Sequence, residues 1–327
     1  MHLIEAPAST DPAFNLAMEE QCLLNLPMDR DYLLLYVNGP SIVVGKHQNA
    51  VQEINTDIVE DQGIPVHRRI SGGGTVYHDE GNLNFSIIRR YETRYFNNYS
   101  LSTGLVAEAL RRMGVPAGLN GRGDILVDGR KVSGNAQAVR RDRMVSHGTL
   151  LFRSRLDLIG PALHPKPGTF TSHGRPSVRS AVANIGDHLP AAMTMAEFRA
   201  ALLAELFRGT TMQTTPALDL AEQAEALATD KYRTWEWNYG RSPDFSLERE
   251  KRIGNCEVGL QLRVEKGRVA AIGISGDLPD KDRLRHVEQV LHGVRYRRDE
   301  ILGALTEAGA DKLTQGATPG DWARLVY

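Results

Sequence analysis

The chain has few cysteines, no long apolar run and almost no net charge. Its two cysteines, Cys22 and Cys256, lie far apart among 327 residues and show no metal-ligand spacing. We therefore expect neither a disulfide framework nor a zinc site. No apolar run approaches the roughly 20 residues that span a bilayer. The first residues show no basic segment followed by an apolar one, so no secretory signal is predicted. A soluble cytoplasmic protein is expected.

The charge balance argues against nucleic acid as the main partner. Lysine and arginine number 39 and aspartate and glutamate 40, which gives a net charge of −1. A protein that grips nucleic acid mainly through phosphates carries a strong basic excess. The hydrophobic fraction of 41% and the charged fraction of 24% are ordinary for a folded chain. A length of 327 residues suits one large domain with a smaller one.

The order of predicted elements indicates an α+β fold, because helices and strands mix without regular alternation. Apolar periodicity predicts helices at 11–26, 51–62, 101–113, 195–207, 218–227, 281–291 and 298–308. Strands are predicted at 33–37, 42–44, 65–70, 75–78, 83–88, 125–127, 131–132, 147–152, 258–264 and 268–275. The polar, proline-containing stretch 241–244 is typical of a linker. We expect a large domain over 1–240, a linker over 241–246 and a small α+β domain over 247–327.

The stretch Arg68–Asp79 is the most informative segment of the chain. Two arginines and Ile70-Ser71 lead into the consecutive glycines Gly72, Gly73 and Gly74. Successive backbone N–H groups in such a loop can wrap an anion, and arginine supplies a permanently charged donor for phosphate or carboxylate. The spacing fits neither a Walker loop nor the dinucleotide fingerprint. A solvated turn between strands is the alternative interpretation.

A second glycine-rich basic cluster lies at 121–136. Asp128-Gly129 is a favoured hairpin turn, and Lys131 follows it on the second strand. An ammonium at such a site can stabilise negative charge on a transferring phosphoryl or acyl group. Asp124 could pair with Lys131 or help to hold Mg²⁺ beside a triphosphate. The alternative is that Lys131 is an ordinary solvated lysine.

Together the clusters carry a family resemblance. The motif Arg69-x-Ser71-Gly-Gly-Gly-x-Val-x-His78, the segment Gly129–Gly134 and the strand beginning His147-Gly-Thr-Leu-Leu-Phe resemble the lipoate–protein ligases in order and spacing. Residues 177–180 look like a fourth block of that family. The resemblance covers nearly the whole chain. It implies a large mixed-sheet catalytic domain of the biotin/lipoate ligase type and a small α+β C-terminal accessory domain that reorients during turnover.

The resemblance implies a two-step reaction. Lipoate and Mg²⁺-ATP give lipoyl-AMP and pyrophosphate, and a lysine of a lipoyl domain then attacks the mixed anhydride. Implied acceptors are 2-oxoacid dehydrogenase E2 subunits and the glycine cleavage H protein. ATP and Mg²⁺ are implied, with lipoate as substrate and no tightly bound prosthetic group. A monomer that binds neither nucleic acid nor membrane is expected.

The resemblance also implies roles for individual residues. Lys131 is the implied catalytic residue, in contact with the α-phosphate and the carbonyl oxygen, and Asp124 is the candidate metal ligand. The implied lipoyl-binding residues are Arg69, Ser71, His78 and His147. The implied nucleotide-binding residues are Gly72, Gly73, Gly74, Thr75, Val76, Tyr77, Asn82 and Lys131.

One departure and three rival functions remain. Some family members carry an arginine where this chain has Ala138, and Arg140 or Arg141 is a candidate substitute. An octanoyltransferase of the same superfamily would use a cysteine nucleophile, but neither Cys22 nor Cys256 lies in a block of that kind. A biotin-type ligase fits the glycine triplet less well. A silent acyl- or nucleotide-binding module would not need Lys131.

Overall fold

The computed structural model describes all of residues 1–327. The strands, in chain order, are β1 His2–Glu5, β2 Tyr32–Val37, β3 Ser41–Val44, β4 Val66–Arg68, β5 Val76–His78, β6 Asn82–Arg90, β7 Gly118–Leu119, β8 Ile125–Val127, β9 Arg130–Ser133, β10 Asn135–Arg140, β11 Arg143–Leu151, β12 Thr169–Ser172, β13 Gln213–Pro216, β14 Phe245–Ile253, β15 Cys256–Glu265 and β16 Arg268–Gly276. The helices are α1 Pro12–Asn25, α2 Ala50–Glu53, α3 Thr56–Asp61, α4 Thr103–Arg112, α5 Leu156–Ala162, α6 Met195–Leu206, α7 Ala221–Leu227, α8 Trp235–Asn238, α9 Lys281–Leu291, α10 Arg298–Glu307 and α11 Pro319–Val326. The predicted α+β class is confirmed. None of the helices has the length and apolar character needed to cross a membrane.

The chain divides into two compact units, each discontinuous in sequence. Unit 1 comprises 1–46, 64–161 and 177–234, and unit 2 comprises 47–63, 162–176 and 235–327. The sequence assigned 47–63 and 162–176 to the large domain over 1–240, whereas the contacts group both segments with unit 2. The role of 241–246 as a linker stays a prediction.

The main sheet of unit 1 has six strands in the order β10-β11-β6-β2-β1-β13. It is mixed: β1 is parallel to β2 and β13, and the pairs β2/β6, β6/β11 and β11/β10 are antiparallel. Unit 1 also contains the three-stranded sheets β4-β3-β5 and β7-β8-β9.

Side chains of β6 alternate between an apolar and a polar face. Phe85 and Ile87 join the core cluster that contains Val106 of α4 and Phe198 of α6. Successive strand residues point to opposite faces, so Asn82, Asn84 and Ser86 share the other face, where Ser86 donates a hydrogen bond to Glu19 of α1. This polar face continues across the register, because His147 of β11 lies opposite Ser86. The sheet therefore has one apolar face, which packs against α4 and α6, and one polar face, which contacts α1.

Unit 2 is a four-stranded antiparallel sheet, β12-β14-β15-β16, with helices that complete its core. The core includes Leu260 of β15, Val287 of α9, Ile301 of α10 and Trp322 of α11. The early segment of the unit joins this core through Val51. The C-terminal residue is buried, and its carbonyl accepts a hydrogen bond from Thr56 Oγ1 at 3.0 Å.

Several sequence expectations hold and others need correction. The first helix begins where expected, with the Asp11 side chain accepting the Ala13 N–H. The single helix predicted at 51–62 is wrong: α2 ends at Glu53, Ile54 is extended, and the Asn55 side chain caps α3. The helix predicted at 101–113 is α-helical only from Thr103, after a 3₁₀ turn. The elements that were not predicted are the strands β1, β7, β10, β12, β13 and β14 and the helices α5, α8 and α11.

Candidate active site

Arg69 holds the glycine loop from inside. Its guanidinium is buried, with Nη2 donating to the carbonyls of Gly72 and Gly74, both at 2.7 Å, and Nη1 donating to the Val43 carbonyl at 3.0 Å. A guanidinium is a rigid fork of five donors, so one side chain can fix two loop carbonyls and a neighbouring strand. The lipoyl-binding role predicted for Arg69 therefore involves a side chain that is largely occupied by the loop itself.

Two of the loop glycines have no room for a side chain. Gly73 has φ +89°, and a Cβ placed there would lie 2.9 Å from Arg69 Nη2. A Cβ on Gly74 would lie 3.0 Å from Ser177 Oγ, which also accepts the Thr75 N–H at 2.9 Å. Residue types other than glycine at 73 would need a rare backbone conformation as well as space. The loop conformation thus depends on its glycines and on Ser177.

The N–H groups of Gly72, Gly73 and Gly74 make no hydrogen bond within the protein. These residues are half-buried or exposed rather than enclosed. With the Gly72 and Gly74 carbonyls bonded to Arg69, the loop offers unused donors and a nearby cation. Successive free N–H groups are the arrangement that binds phosphate oxygens.

Ser71, His147 and Glu19 form a buried hydrogen-bonded series beneath the loop. Ser71 Oγ lies 2.6 Å from His147 Nε2 and 3.0 Å from Arg69 Nε. His147 Nδ1 lies 2.9 Å from both carboxylate oxygens of Glu19. Burial opposes ionisation of Glu19, but the contact with His147 and the hydrogen bond from Ser86 lower its pKa below the usual value. The predicted residues Ser71 and His147 are therefore in direct contact.

Glu19 is the residue that sequence reasoning missed. It lies on α1, most of whose residues are buried, and is itself 1% exposed. A sequence signal was available in the adjacent pair Glu19-Glu20, because both residues fall between apolar positions that are buried on α1.

His78 presents an unpaired ring nitrogen inside the protein. Asn15 donates to Asn38 Oδ1, so the Asn38 amide nitrogen donates to His78 Nδ1 at 2.8 Å. Burial, together with the charge of Arg69, lowers the pKa of His78 to about 3. The ring is therefore neutral, with its proton on Nε2, which is buried and has no partner. A carboxylate or carbonyl oxygen of a bound molecule could accept that hydrogen bond.

Lys131 is held by its backbone and by one carboxylate. Its N–H donates to the Ala181 carbonyl at 2.8 Å, and its carbonyl accepts the Ala183 N–H at 3.0 Å. Its Nζ lies 2.8 Å from Asp124 Oδ1. Asp124 is held in turn by Asn120, whose Nδ2 lies 3.0 Å from Asp124 Oδ2. The Lys131 side chain is 25% exposed, and its ammonium is held in place by Asp124.

Gly134 makes room for the Lys131 side chain. A Cβ on Gly134 would lie 2.8 Å from both Cε and Nζ of Lys131. That distance is well below ordinary van der Waals contact, about 3.5–4.0 Å. The glycine in the predicted 129–134 block therefore has a direct steric reason.

The structure brings the two glycine clusters together. A Cβ on Gly73 would lie 3.4 Å from the Cβ of Ala136 on β10. Burial raises the pKa of Tyr99, and the charges of Asp124 and Arg69 act on that pKa in opposite directions. The expectation that both segments form one site is therefore consistent with the geometry.

The remaining predicted nucleotide contacts are less accessible. Thr75 and Val76 are half-buried, whereas Tyr77 and Asn82 are buried. Asn82 Nδ2 donates to Asn84 Oδ1 at 3.0 Å, and Asn82 Oδ1 has no partner. Asn82 faces the polar side of the main sheet and not the surface.

The arginine position of the family is occupied by a buried strand residue. Ala138 pairs with Val145 in the β10/β11 register and is 9% exposed. Arg140 stands two residues further on, opposite Arg143, and Arg141 occupies the turn with φ +56°. Both candidate substitutes lie at the far end of the β10–β11 hairpin.

The cysteines and acidic groups can be assessed directly. Burial raises the pKa of the Cys22 thiol to about 12, which is the opposite of what a thiolate nucleophile needs. Cys256 belongs to unit 2.

No three His, Cys, Asp or Glu side chains cluster as a metal-binding group. A single carboxylate such as Asp124 still suits Mg²⁺, which often binds one or two carboxylates together with substrate phosphates.

Comparison with family models gives two matches along the chain. Residues 11–207 match the model described as the lipoyl protein ligase A/B catalytic domain. Residues 242–325 match the model described as the bacterial lipoate protein ligase C-terminus. Together the matched regions include all the candidate site residues.

Curated and solved relatives agree with these matches. Lipoate-protein ligase LplJ of Bacillus subtilis is 42% identical over 331 residues, covering 100% of both chains. A solved lipoate-protein ligase A bound with ATP has a TM-score of 0.62 and 27% identity, covering 73% of this chain and 98% of that chain. A bipartite lipoate protein ligase of Thermoplasma acidophilum, described with its E2 lipoyl domain, has a TM-score of 0.61 and 26% identity, covering 73% of this chain and 96% of that chain.

Proposed function

Because the chain belongs to the lipoate–protein ligase family, we propose that it attaches lipoate to protein lysines in two ATP-dependent steps. In the first, a lipoate carboxylate oxygen attacks the α-phosphorus of ATP and pyrophosphate leaves. In the second, a lysine amine of the acceptor attacks the carbonyl carbon of lipoyl-AMP. An amide forms, AMP leaves, and the amine loses a proton.

Lys131 is the proposed catalytic residue. Both steps build negative charge, first on the α-phosphate and then on the carbonyl oxygen. A fixed ammonium in a partly dehydrated site stabilises such charge because it needs no reorganisation when the charge develops. The ion pair with Asp124 and the space over Gly134 support this role. Catalysis then consists of positioning and electrostatics, without a covalent enzyme intermediate.

The glycine loop is the proposed phosphate cradle. The free N–H groups of residues 72–74 support this assignment, as does the order that Arg69 and Ser177 impose on the loop. We extend the nucleotide site to Thr75, Val76 and Tyr77. Asn82 is a weaker member because its side chain is fully buried.

The lipoyl group is proposed to lie along Ser71, His78 and His147, with Arg69 behind them. The unpaired, buried Nε2 of His78 supports a polar contact with bound substrate. In this arrangement Arg69 acts mainly by ordering the loop, since four of its hydrogen bonds go to protein groups.

Mg²⁺ fits the site through Asp124. When bound it would neutralise charge on the triphosphate and polarise the leaving pyrophosphate. Asp124 is the residue that would hold the ion, next to the Lys131 ammonium that pairs with it. The hydrogen bond from Asn120 would keep that carboxylate oriented.

The proposed acceptors are lipoyl domains of 2-oxoacid dehydrogenase E2 subunits and the glycine cleavage H protein. A structural relative described with its E2 lipoyl domain supports this class of acceptor. We also propose that the protein acts as a cytoplasmic monomer.

One observation carries the proposal: a fixed lysine and a glycine loop with free N–H groups stand at one site. The test is pyrophosphate release by wild type, Lys131→Ala and Arg130→Ala with lipoate and Mg²⁺-ATP. Arg130 is exposed and precedes Lys131 on β9, so its variant controls for loss of a cation from the same hairpin. We expect release in wild type and Arg130→Ala and its near-complete loss in Lys131→Ala.

The same assay separates the rival functions. Lipoyl or octanoyl transfer from a carrier protein without ATP would indicate a transferase. Absence of lipoate-dependent release from wild type would refute the ligase proposal. Full activity in Lys131→Ala would refute the role of that lysine.

A further inference from the structure

The hydrogen bonds beneath the glycine loop run in a single direction. A carboxylate only accepts, so His147 Nδ1 carries a proton and donates it to Glu19. When the ring is neutral, Nε2 is an acceptor, and it accepts the hydroxyl proton of Ser71. The Ser71 oxygen accepts from Arg69 Nε. The order Arg69, Ser71, His147, Glu19 therefore leaves each donor matched with an acceptor.

Glu19 determines that direction. It is the one group of the four that cannot donate, and it stands at the end of the series. Removing its charge would free the imidazole to adopt the other tautomer, because which nitrogen carries the proton is set by the partner of the other nitrogen. Ser71 would then face two donors, His147 and Arg69, and its proton would go to the Gly72 carbonyl, 3.3 Å from Oγ.

Glu19 also supplies charge balance. The Arg69 guanidinium is 7% exposed and Glu19 is 1% exposed. An unpaired charge at such burial is unfavourable, and the opposite charge of Glu19 favours the charged form of Arg69. Arg69 Nη2 donates hydrogen bonds to the carbonyls of Gly72 and Gly74. Glu19 therefore affects the conformation of the glycine loop through Arg69.

We propose that Glu19 is a positioning residue that acts through His147, Ser71 and Arg69 to keep the glycine loop in its binding conformation. The expected loss of activity rests on the proposed function. The expected loss of order in the glycine loop rests on the contacts alone. Glu19 lies in α1, a separate element from the strands and loop that it orders.

Glu20 is a matched control for this proposal. It is the next residue of α1, is also buried, and uses its carboxylate on a different pair, Lys231 and Tyr232. Replacing Glu20 by Gln removes a buried helix carboxylate of the same size without touching the series that ends at Arg69. Any difference between the variants therefore reports on what Glu19 contacts.

The test compares wild type, Glu19→Gln, Glu19→Asp and Glu20→Gln by hydrogen exchange and by kinetics. Amide exchange of residues 69–76 reports loop order whether or not the protein is active. We expect faster exchange in Glu19→Gln alone, with partial recovery in Glu19→Asp, which keeps the charge. We expect kcat/KM for pyrophosphate release to fall about 10- to 100-fold in Glu19→Gln, as when outer partners of a functional histidine are removed.

A double-mutant cycle with His147→Asn tests the path. If Glu19 acts through His147, adding Glu19→Gln to His147→Asn costs little more, so the effects are non-additive. Exchange and kcat/KM in Glu19→Gln equal to those of Glu20→Gln would overturn the proposal, as would strict additivity. A wild type without lipoate-dependent release would instead overturn the proposed function, and loop exchange would still decide the role of Glu19.

Discussion

Replacing Gly134 by Ala should separate the stability of the protein from its activity. The backbone at Gly134 is outside the left-handed region, so alanine can adopt it. The added Cβ would meet the flexible end of Lys131, 2.8 Å from Cε and Nζ, and no backbone atom nearby. The fold can accept the methyl group if the lysine moves.

The required displacement can be estimated from the contact distance. Ordinary carbon contacts lie at about 3.5–4.0 Å, so the ammonium must move by roughly 1 Å. Such a shift disturbs the 2.8 Å ion pair with Asp124. A misplacement of about 1 Å at a catalytic group can cost about 100-fold in rate, which corresponds to about 3 kcal/mol of transition-state stabilisation.

Stability should change little or in the opposite direction. Replacing glycine by alanine at a compatible position reduces the freedom of the unfolded chain and stabilises by about 0.4–1 kcal/mol. We therefore expect a melting temperature equal to or above that of wild type, together with a kcat for pyrophosphate release about 100-fold lower.

The assay pairs thermal unfolding with pyrophosphate release, and Gly121→Ala is the control. Gly121 lies in the same glycine-rich cluster, is exposed, and would place its Cβ in open space. If Gly134→Ala keeps wild-type kcat, the position of the Lys131 ammonium is not critical and the reasoning is wrong. A large loss of stability in Gly134→Ala would also refute the reasoning. It would mean that the added methyl group clashes with atoms that cannot move aside as the Lys131 side chain can.

Two further predictions concern the buried polar groups. Arg69→Lys should lower the free energy of unfolding by about 2 kcal/mol or more, because lysine cannot replace the four hydrogen bonds of the fork; a change below about 0.5 kcal/mol in urea unfolding would contradict this. His78 has a folded pKa of about 3 against 6.5 when unfolded, so the unfolded state binds an extra proton between these values and stability falls as pH falls through that window. Its contribution between pH 7.5 and 5.5 is about 1 kcal/mol, so His78→Gln should flatten the pH dependence of urea unfolding, and an unchanged pH dependence would show that His78 is not the group responsible.

Local signals in the sequence predicted the parts of the fold that depend on local chemistry. The hairpin β8/β9 forms around Asp128 and Gly129, both with positive φ, as that dipeptide predicts. The strand β14 was missed although it alternates buried and exposed residues, because its exposed positions are densely charged and resemble a linker. The break between α2 and α3 depends on one capping asparagine, Asn55, within an otherwise periodic segment.

The candidate site was predictable as a set of motifs but not as a set of contacts. Glycines and basic residues indicate a candidate phosphate site by residue type, and their spacing carries the family resemblance. Arg69 ties the loop to β3 through a hydrogen bond to the Val43 carbonyl, and β3 is remote from the loop in sequence. Glu19 lies more than 100 residues from His147, and no local pattern reports that pairing.

The discontinuity of unit 2 has a consequence for how the chain is made. Segments 47–63 and 162–176 leave the ribosome long before 235–327, and domains generally fold as they emerge. The β12 strand must wait for β14, and Thr56 must wait for Tyr327. Until residues 235–327 are synthesised, both early segments lack the core that they join. A premature stop before β14 would therefore leave β12 without the strand that it pairs with.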